Sequence, residues 1–488
     1  MKNKLNLLIV ALFLLTQTTL AQTWTQIGQD IDGEAAKNES GNSVSMPDAN
    51  TVAIGAYKND GNGQDAGHVR IYSWNDTSWI QKGDDIVGTI DGTEDGWQFL
   101  GYSVSMPDSN TVAIGVILGG GDINTEAPGF VEIYSWSGTA WVQKGDDIDG
   151  KIDNESSGWA VSMPDANTVA IGAPSGSGNQ SGHVRIYSWS DTSWIQKGDD
   201  IVGEARDGLG VSVSMPDANT IALGAPLNDG NAINAGTVRI YYWSGTAWVQ
   251  KGSDIDGEAE SDESGISVSM PDANTVAIGA YRNDGNGQDA GHVRIYTWSG
   301  LAWVQKGSDI DGEASGDESG WVVSMPDANT VAIGAYKNDG NGQDAGHVRI
   351  YTWSGLAWVQ NGSDIDGEAM GDASGYSVSM PDSNTIVLGA PWNDGNGNLA
   401  GHTRVYKLET GANTETIEAH KIYISPNPVS DILTVNGISQ PVEFQITDLT
   451  GKEILSGEIS NNSVDVSSLK VGLYLLKLEN RSIQFIKE

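Results

Sequence analysis

Apolar and polar residues alternate along this chain in short bursts, separated by clusters of Gly, Pro, Asn, Asp and Ser. Period-two alternation bounded by turn residues predicts strands. In the first copy of the pattern the strands are Ser43–Met46, Thr51–Ala56, His68–Trp74 and Ser78–Lys82. Pro47-Asp48-Ala49-Asn50 reads as a tight turn, because proline fixes φ and Asp and Asn side chains can hold the turn by hydrogen bonds. KNDGNGQDAG is a longer polar loop, and Asn75-Asp76-Thr77 a short turn. The segment TVAIGA is apolar nearly throughout, as suits a strand covered on both faces.

The pattern returns seven times. Met-Pro-Asp stands at Met46, Met106, Met163, Met215, Met270, Met325 and Met380, with spacings of 60, 57, 52, 55, 55 and 55 residues. Seven four-stranded meanders predict an all-β fold, a seven-bladed β-propeller. The last copy stops after GHTRVYKLE and lacks the Trp-Val-Gln strand. The segment TWTQIGQDI supplies that strand near the N-terminus, so the fourth-strand tryptophan occurs as Trp24, Trp79, Trp141, Trp194, Trp248, Trp303 and Trp358. The N-terminal strand is therefore expected to complete the last blade, sparing both ends an unpaired edge.

The ends and the composition narrow the setting. Lys2 and Lys4 precede the apolar run Leu5 to Leu15, and Thr19-Leu20-Ala21 offers a cleavage site, so residues 1–21 read as a signal peptide cut after Ala21. An uncleaved anchor is the rival reading. There is no cysteine, so an exported chain would be held by core burial and not by disulfides. The formal net charge of −38 argues against nucleic acid and anionic membrane as partners, and favours cations.

Two resemblances follow from particular residues. Gly172-Ala173-Pro174, Gly224-Ala225-Pro226 and Gly389-Ala390-Pro391, with strands such as Gly67–Tyr72, make residues 22–408 resemble the FG-GAP repeat of integrin α-subunit propellers. That family holds calcium in the loop between its first two strands. Here Pro-Asp-Ala-Asn-Thr is too short to supply the oxygens a calcium ion needs, so the family site is not carried over. Residues 420–488 resemble the C-terminal sorting domain of the type IX secretion system of Bacteroidota. The matching residues are Pro426, Asn427 and Pro428, then Gly451, then Gly472 and Tyr474. The resemblance implies export by that machinery, to the cell surface or beyond. Val442–Ile446 and Leu473–Leu478 alternate as strands of a small antiparallel β-sandwich, and residues 409–419 read as a linker.

Candidate chemistry is sparse. Asp60, Asn62 and Asp65 in one long loop, and Asp309, Asp311, Glu313 and Asp317 in another, offer oxygens suited to calcium. Their spacing matches no well-defined calcium loop, and such residues also serve as plain turn formers. Five copies carry His (His68, His183, His292, His347, His402) and six carry Arg (Arg70, Arg185, Arg239, Arg294, Arg349, Arg404). A catalytic group is needed once, so the arginines read as repeated internal ion pairs, with the Met-Pro-Asp aspartates as expected partners. Thirteen tryptophans recur at two strand positions, which reads as packing.

The informative positions vary. After the inner-strand glycine stand Asn42, Tyr102, Trp159, Val211, Ile266, Trp321 and Tyr376. They are expected at the mouth of the central channel, as ligand contacts or as filler between blades. No Gly-x-Ser-x-Gly or His-Glu-x-x-His motif is present. The reading is an exported, noncatalytic binding or adhesion protein with a protein or glycan ligand. A propeller hydrolase and a structural scaffold are the alternatives.

Overall fold

The computed structural model describes residues 22–88, 96–120, 128–175, 180–409, 423–425, 427–436, 442–448, 452–459, 462–478 and 481–488. The signal peptide and its cleavage site at Ala21, most of the linker, Pro426 and Gly451 lie outside them. The chain divides into two compact units, Met1–Thr410 and Gly411–Glu488.

The first unit is all-β. Its strands begin with β1 (Thr23–Gln26), β2 (Ile31–Asp32), β3 (Ser43–Asp48), β4 (Thr51–Ala56), β5 (His68–Trp74), β6 (Trp79–Gln81) and β7 (Ile86–Val87). β3 to β6 form an antiparallel meander, and β7 returns to pair with β5. The fourth strand is thus shorter than the sequence pattern indicated, and a fifth, two-residue strand continues its edge. Gly83, at φ 83°, bends the chain between the two pieces. Its backbone lies against the tryptophans of the following copy, where a Cβ would meet Trp136 at 2.7 Å.

Among the described residues this five-stranded sheet recurs in every copy, as a propeller-like repeat. In the last copy β1 and β2 are the outer strands: Trp24 lies opposite Leu408 and Asp32 opposite His402. Each innermost strand lies beside the next, and Ser377–Asp382 of the last copy lies beside β3 of the first.

The hydrophobic cores sit between sheets. One joins Val69, Ile71 and Ile86 to Met106, Val112 and Ile114 of the next copy. Another joins Val387 and Val405 of the last copy to Met46, Val52 and Ile54 of the first. All six residues of β4 are buried, because β4 has a neighbouring sheet on each face.

Polar stitches run the same way. The serine before each Met-Pro-Asp accepts the methionine N–H of the following copy, as Ser45 does from Met106 at 2.9 Å and Ser379 from Met46 at 3.0 Å. The fourth-strand tryptophans donate to the preceding copy, as Trp141 Nε1 does to Lys82 O at 2.7 Å. Lys82 Nζ lies 5.2 Å from the Trp136 ring and 5.3 Å from that of Trp141. The tryptophan pairs are packing elements, as their repetition indicated.

The second unit has a three-stranded sheet (Tyr423–Ser425, Ile432–Asn436, Ser463–Asp465) and a four-stranded one (Val442–Thr447, Glu453–Ile459, Gly472–Leu478, Arg481–Lys487). Leu433, Val435, Ile446, Leu476 and Phe485 belong to one core. Three of the sorting-motif residues have the following places in this unit. Asn427 Oδ1 accepts the Ile486 N–H at 2.9 Å, Gly472 opens a strand, and Tyr474 donates to Lys470 O at 3.0 Å.

Candidate functional site

Each inner strand of the first unit starts from the same turn. Asn42 N–H donates to Glu39 O at 3.2 Å, and Trp321 N–H to Glu318 O at 3.2 Å. The residue that opens the turn is left-handed: Glu39 at φ 50°, Phe99 at 42°, Ser156 at 56°, Glu263 at 52°, Glu318 at 54° and Ala373 at 55°. Such a conformation costs a non-glycine residue roughly 1–2 kcal/mol. The inter-sheet contacts hold it there. Ser40 N–H, next to Glu39, donates to Ala400 O of the last copy at 3.0 Å.

These turns bring the seven variable residues together. Asn42, Tyr102, Trp159, Val211, Ile266, Trp321 and Tyr376 line one cavity of ≈ 530 Å³. Below them lie Ser43 and its counterparts, then Val44 and its counterparts. The serine hydroxyls are satisfied across sheets, as Ser43 is by Gly101 O at 2.7 Å. The floor is therefore apolar, and chemical variety is confined to the mouth.

The mouth is uneven. Tyr102 and Trp159 rings lie 4.9 Å apart, with Tyr57 packed 5.6 Å from Tyr102. Opposite them, Trp321 contacts Tyr376 at 5.5 Å, Tyr336 at 5.0 Å and Tyr281 at 5.2 Å, and Trp392 extends this arc 6.0 Å from Tyr376. Val211 and Ile266 separate the arcs on one side. Asn42 does so on the other, its Nδ2 donating to Tyr102 O at 3.1 Å. Carboxylates edge the aromatics: Glu39 accepts Tyr57 OH at 2.7 Å and Lys58 Nζ at 2.7 Å, and Glu263 accepts Tyr281 OH at 3.0 Å. Burial, then Glu39, pushes the Tyr57 phenol well above its ordinary range, so it remains a donor. Tyr57, Phe99, Tyr281, Tyr336 and Trp392 are not in the sequence-predicted set. For Tyr57, Tyr281 and Tyr336 the signal was variation after the repeated Gly-Ala, where Tyr alternates with Pro; Trp392 stands one residue beyond such a Pro, and Phe99 lies at the turn before an inner strand.

The loop acids expected as metal ligands disperse. Asp60 Oδ1 accepts the Asp65 N–H at 2.8 Å within the loop, and Asn62 Nδ2 donates to Gly88 O at 2.7 Å, tying this loop to the one after β7. Asp317 is buried, accepting from Ala314 N–H at 2.9 Å and Asn338 Nδ2 at 3.1 Å. Asp311 uses its backbone carbonyl to accept Arg349 at 2.8 Å. Asp309 faces His292 at 3.9 Å, and Glu313 faces His347 at 3.9 Å.

The arginines form internal pairs, but their partners differ from those expected. Arg185 pairs with Glu155 at 2.6 Å and Asp200 at 2.9 Å, and Arg239 with Asp207 and Asp254 at 2.8 Å each. The Met-Pro-Asp aspartate holds its own turn, Asp48 Oδ1 accepting Asn50 N–H at 2.8 Å. Register explains the correction. Arg70 lies opposite Ile54 near the loop end of β4, and Asp48 opposite Thr51 at the turn end. Burial raises Glu155, but hydrogen bonds from His183, Arg185 and the Lys151 backbone N–H outweigh that and hold its carboxyl down at about 2. In the second copy Glu132 replaces the arginine. Burial pushes its carboxyl up to about 7, against the hydrogen bond from Tyr134 at 3.0 Å.

Comparison with known proteins identifies only the tail directly. Residues 421–488 match the secretion system C-terminal sorting domain. No protein with a curated description matches the chain. Among solved structures, a Bacteroides uniformis protein named as a 6-phosphogluconolactonase aligns with a TM-score of 0.44 at 9% identity, covering 67% of this chain and 85% of that one. That likeness is too distant to bear on activity. No helix among the described residues is long and apolar enough to cross a membrane. The C-terminal region of this chain is a type IX sorting domain, and it addresses the protein for export to the cell surface or the medium.

Proposed function

We propose that the chain is an exported, noncatalytic binding protein, a closed seven-bladed β-propeller of the FG-GAP type. It takes an extracellular protein or glycan ligand at the mouth of its central cavity. One observation carries the reading: the seven variable positions after the inner-strand glycine share a single cavity, while the repeated Trp, Met and Ser of the strands are spent on joining sheets. Aromatic faces set beside carboxylates suit the apolar faces and hydroxyls of sugars, or an aromatic side chain of a protein. The cell-surface or secreted address fits such a partner. The noncatalytic reading rests on the lack of an asymmetric constellation at the mouth among the described residues: Tyr57, Tyr281 and Tyr336 are tied to carboxylates that are themselves paired with Lys58, Arg282 and Lys337, and Tyr102 and Tyr376 stand in the aromatic arcs.

The test is a screen of the mature chain against glycans and bacterial or host surface proteins, repeated with Trp159→Ala and Trp321→Ala. Binding weakened at least about tenfold by either substitution supports the proposal; that loss corresponds to one well-buried aromatic contact. A hydrolytic activity abolished by the same substitutions, without stable binding, would replace it with the hydrolase reading.

A further inference from the structure

We propose that four of the repeats each carry a site for a divalent cation of the class that takes imidazole and carboxylate together, Zn²⁺ being its representative. The sites are built on His68, His292, His347 and His402, at the start of the third strand.

Four pairs of facts carry this. Each histidine is buried, and its Nδ1 faces carboxylate oxygens of two flanking loops. His68 Nδ1 lies 3.8 Å from Glu34 Oε2 and 3.6 Å from Asp85 Oδ2. His347 lies 3.9 Å from both Glu313 and Asp364. His402 lies 3.5 Å from Asp30 and 3.9 Å from Glu368, and its cluster closes with Asp30 and Asp32 instead of the glutamate. His292 is clustered in the same way with Glu258 and Asp309. These separations are long for hydrogen bonds. They are close to what ligands of one ion require, since two donors each about 2.1 Å from a tetrahedral zinc sit roughly 3.4 Å apart.

The outer oxygens are already anchored, as metal-binding carboxylates generally are. Asp85 Oδ1 accepts Gln81 Nε2 at 2.6 Å, and Asp309 Oδ1 accepts Gln305 at 2.6 Å. Glu34 Oε1 lies 3.6 Å from Arg70, and Glu313 Oε1 3.5 Å from Arg349. In each case the second oxygen is left toward the imidazole.

The two repeats that keep the arginine but depart from this set show the contrast. In the third copy Arg185 Nε donates to Asp200 Oδ2 at 2.9 Å, and in the fourth Arg239 Nε donates to Asp254 Oδ2 at 2.8 Å. The guanidinium there takes the oxygen that faces histidine elsewhere. In the first and fifth copies the same nitrogen, Arg70 Nε or Arg294 Nε, is buried with no hydrogen-bond partner. The fourth copy has Thr237 in place of histidine, buried, with its hydroxyl 2.9 Å from Asp256 Oδ1. Oxygen-only cations such as Ca²⁺ gain nothing from a buried imidazole, which separates this site from the calcium reading of the loops.

The experiment is equilibrium dialysis of the mature, metal-stripped chain against micromolar Zn²⁺ at neutral pH, with Co²⁺ absorption as a report on nitrogen and oxygen coordination. About four equivalents are expected. His347→Thr, which copies the residue native to the fourth repeat, should remove one, and the fourfold His→Thr variant should remove all four while its circular dichroism stays that of the parent. Uptake unchanged by the His→Thr variants would mean exposed carboxylates only. That result, equal competition by Ca²⁺, or less than one equivalent bound would each overturn the proposal.

Discussion

Single residues carry distinct tasks within one short motif. In Ser-Met-Pro-Asp the serine bonds to the next copy, the methionine fills an inter-sheet core and the aspartate holds the hairpin turn. Glu132 breaks the pattern, and its consequence can be worked out. Its folded carboxyl is raised to about 7 from 4.5, so between those values the folded state holds a proton that the unfolded chain has released. Stability from this group is therefore full below about pH 4.5 and is lost as pH rises through about 7. Glu132→Gln should flatten the pH dependence of Tm over that window. It should stabilise the chain at pH 8 by about 1–3 kcal/mol, the range implied by the shift after allowance for partial exposure. Identical slopes for parent and variant would show that Glu132 is not buried as a charge. The identity of this outlier was plain in the sequence, where one Glu stands among six arginines. Its burial was not, because no strand pattern reveals what covers a side chain.

At the scale of the element, close approach of neighbouring sheets governs the second strand. A Cβ on Gly334 would lie 2.2 Å from Gly375 O and 2.6 Å from Val322 Cγ1, and its counterpart Gly55 faces Gly101 O at 2.1 Å. Backbone cannot yield there without parting two sheets. Gly334→Ala should lower stability by about 3 kcal/mol, at the upper end for overpacking, and lower Tm in a thermal melt. An unchanged Tm would mean the sheets are farther apart than described. The strands were legible from alternation and turn residues, and TVAIGA was legible as covered on both faces. The fifth strand was not legible. Two residues carry no periodicity, and Ile86–Val87 pairs only because the bend at Gly83 returns the chain to β5. The arginine partners were missed for a related reason: strand register decides which end of a strand a residue occupies.

For the whole molecule, the pairing of β1 and β2 with the last copy joins residues far apart in sequence. On the closed-propeller reading, these strands fasten the ring. Removal of residues 22–32 would leave His402–Glu409 as an open edge and uncover Leu408, which packs beside Trp24. The truncated chain should melt at a clearly lower temperature and associate through the exposed edge, as seen by light scattering. A monomer of unchanged Tm would argue against closure.

Repetition in the chain determined the number of copies, their four main strands and their turns, and the C-terminal motifs determined the export address, because each is set by residues adjacent in sequence. It also marked the seven variable positions, since variation against a constant background is visible without coordinates. Their place at one channel mouth was expected from the repeat; the tertiary structure alone decided that aromatic residues from a second set of loops join them, and that each histidine meets carboxylates from two separate loops. These are contacts between segments tens to hundreds of residues apart, fixed by how sheets pack face to face, and no local pattern encodes them.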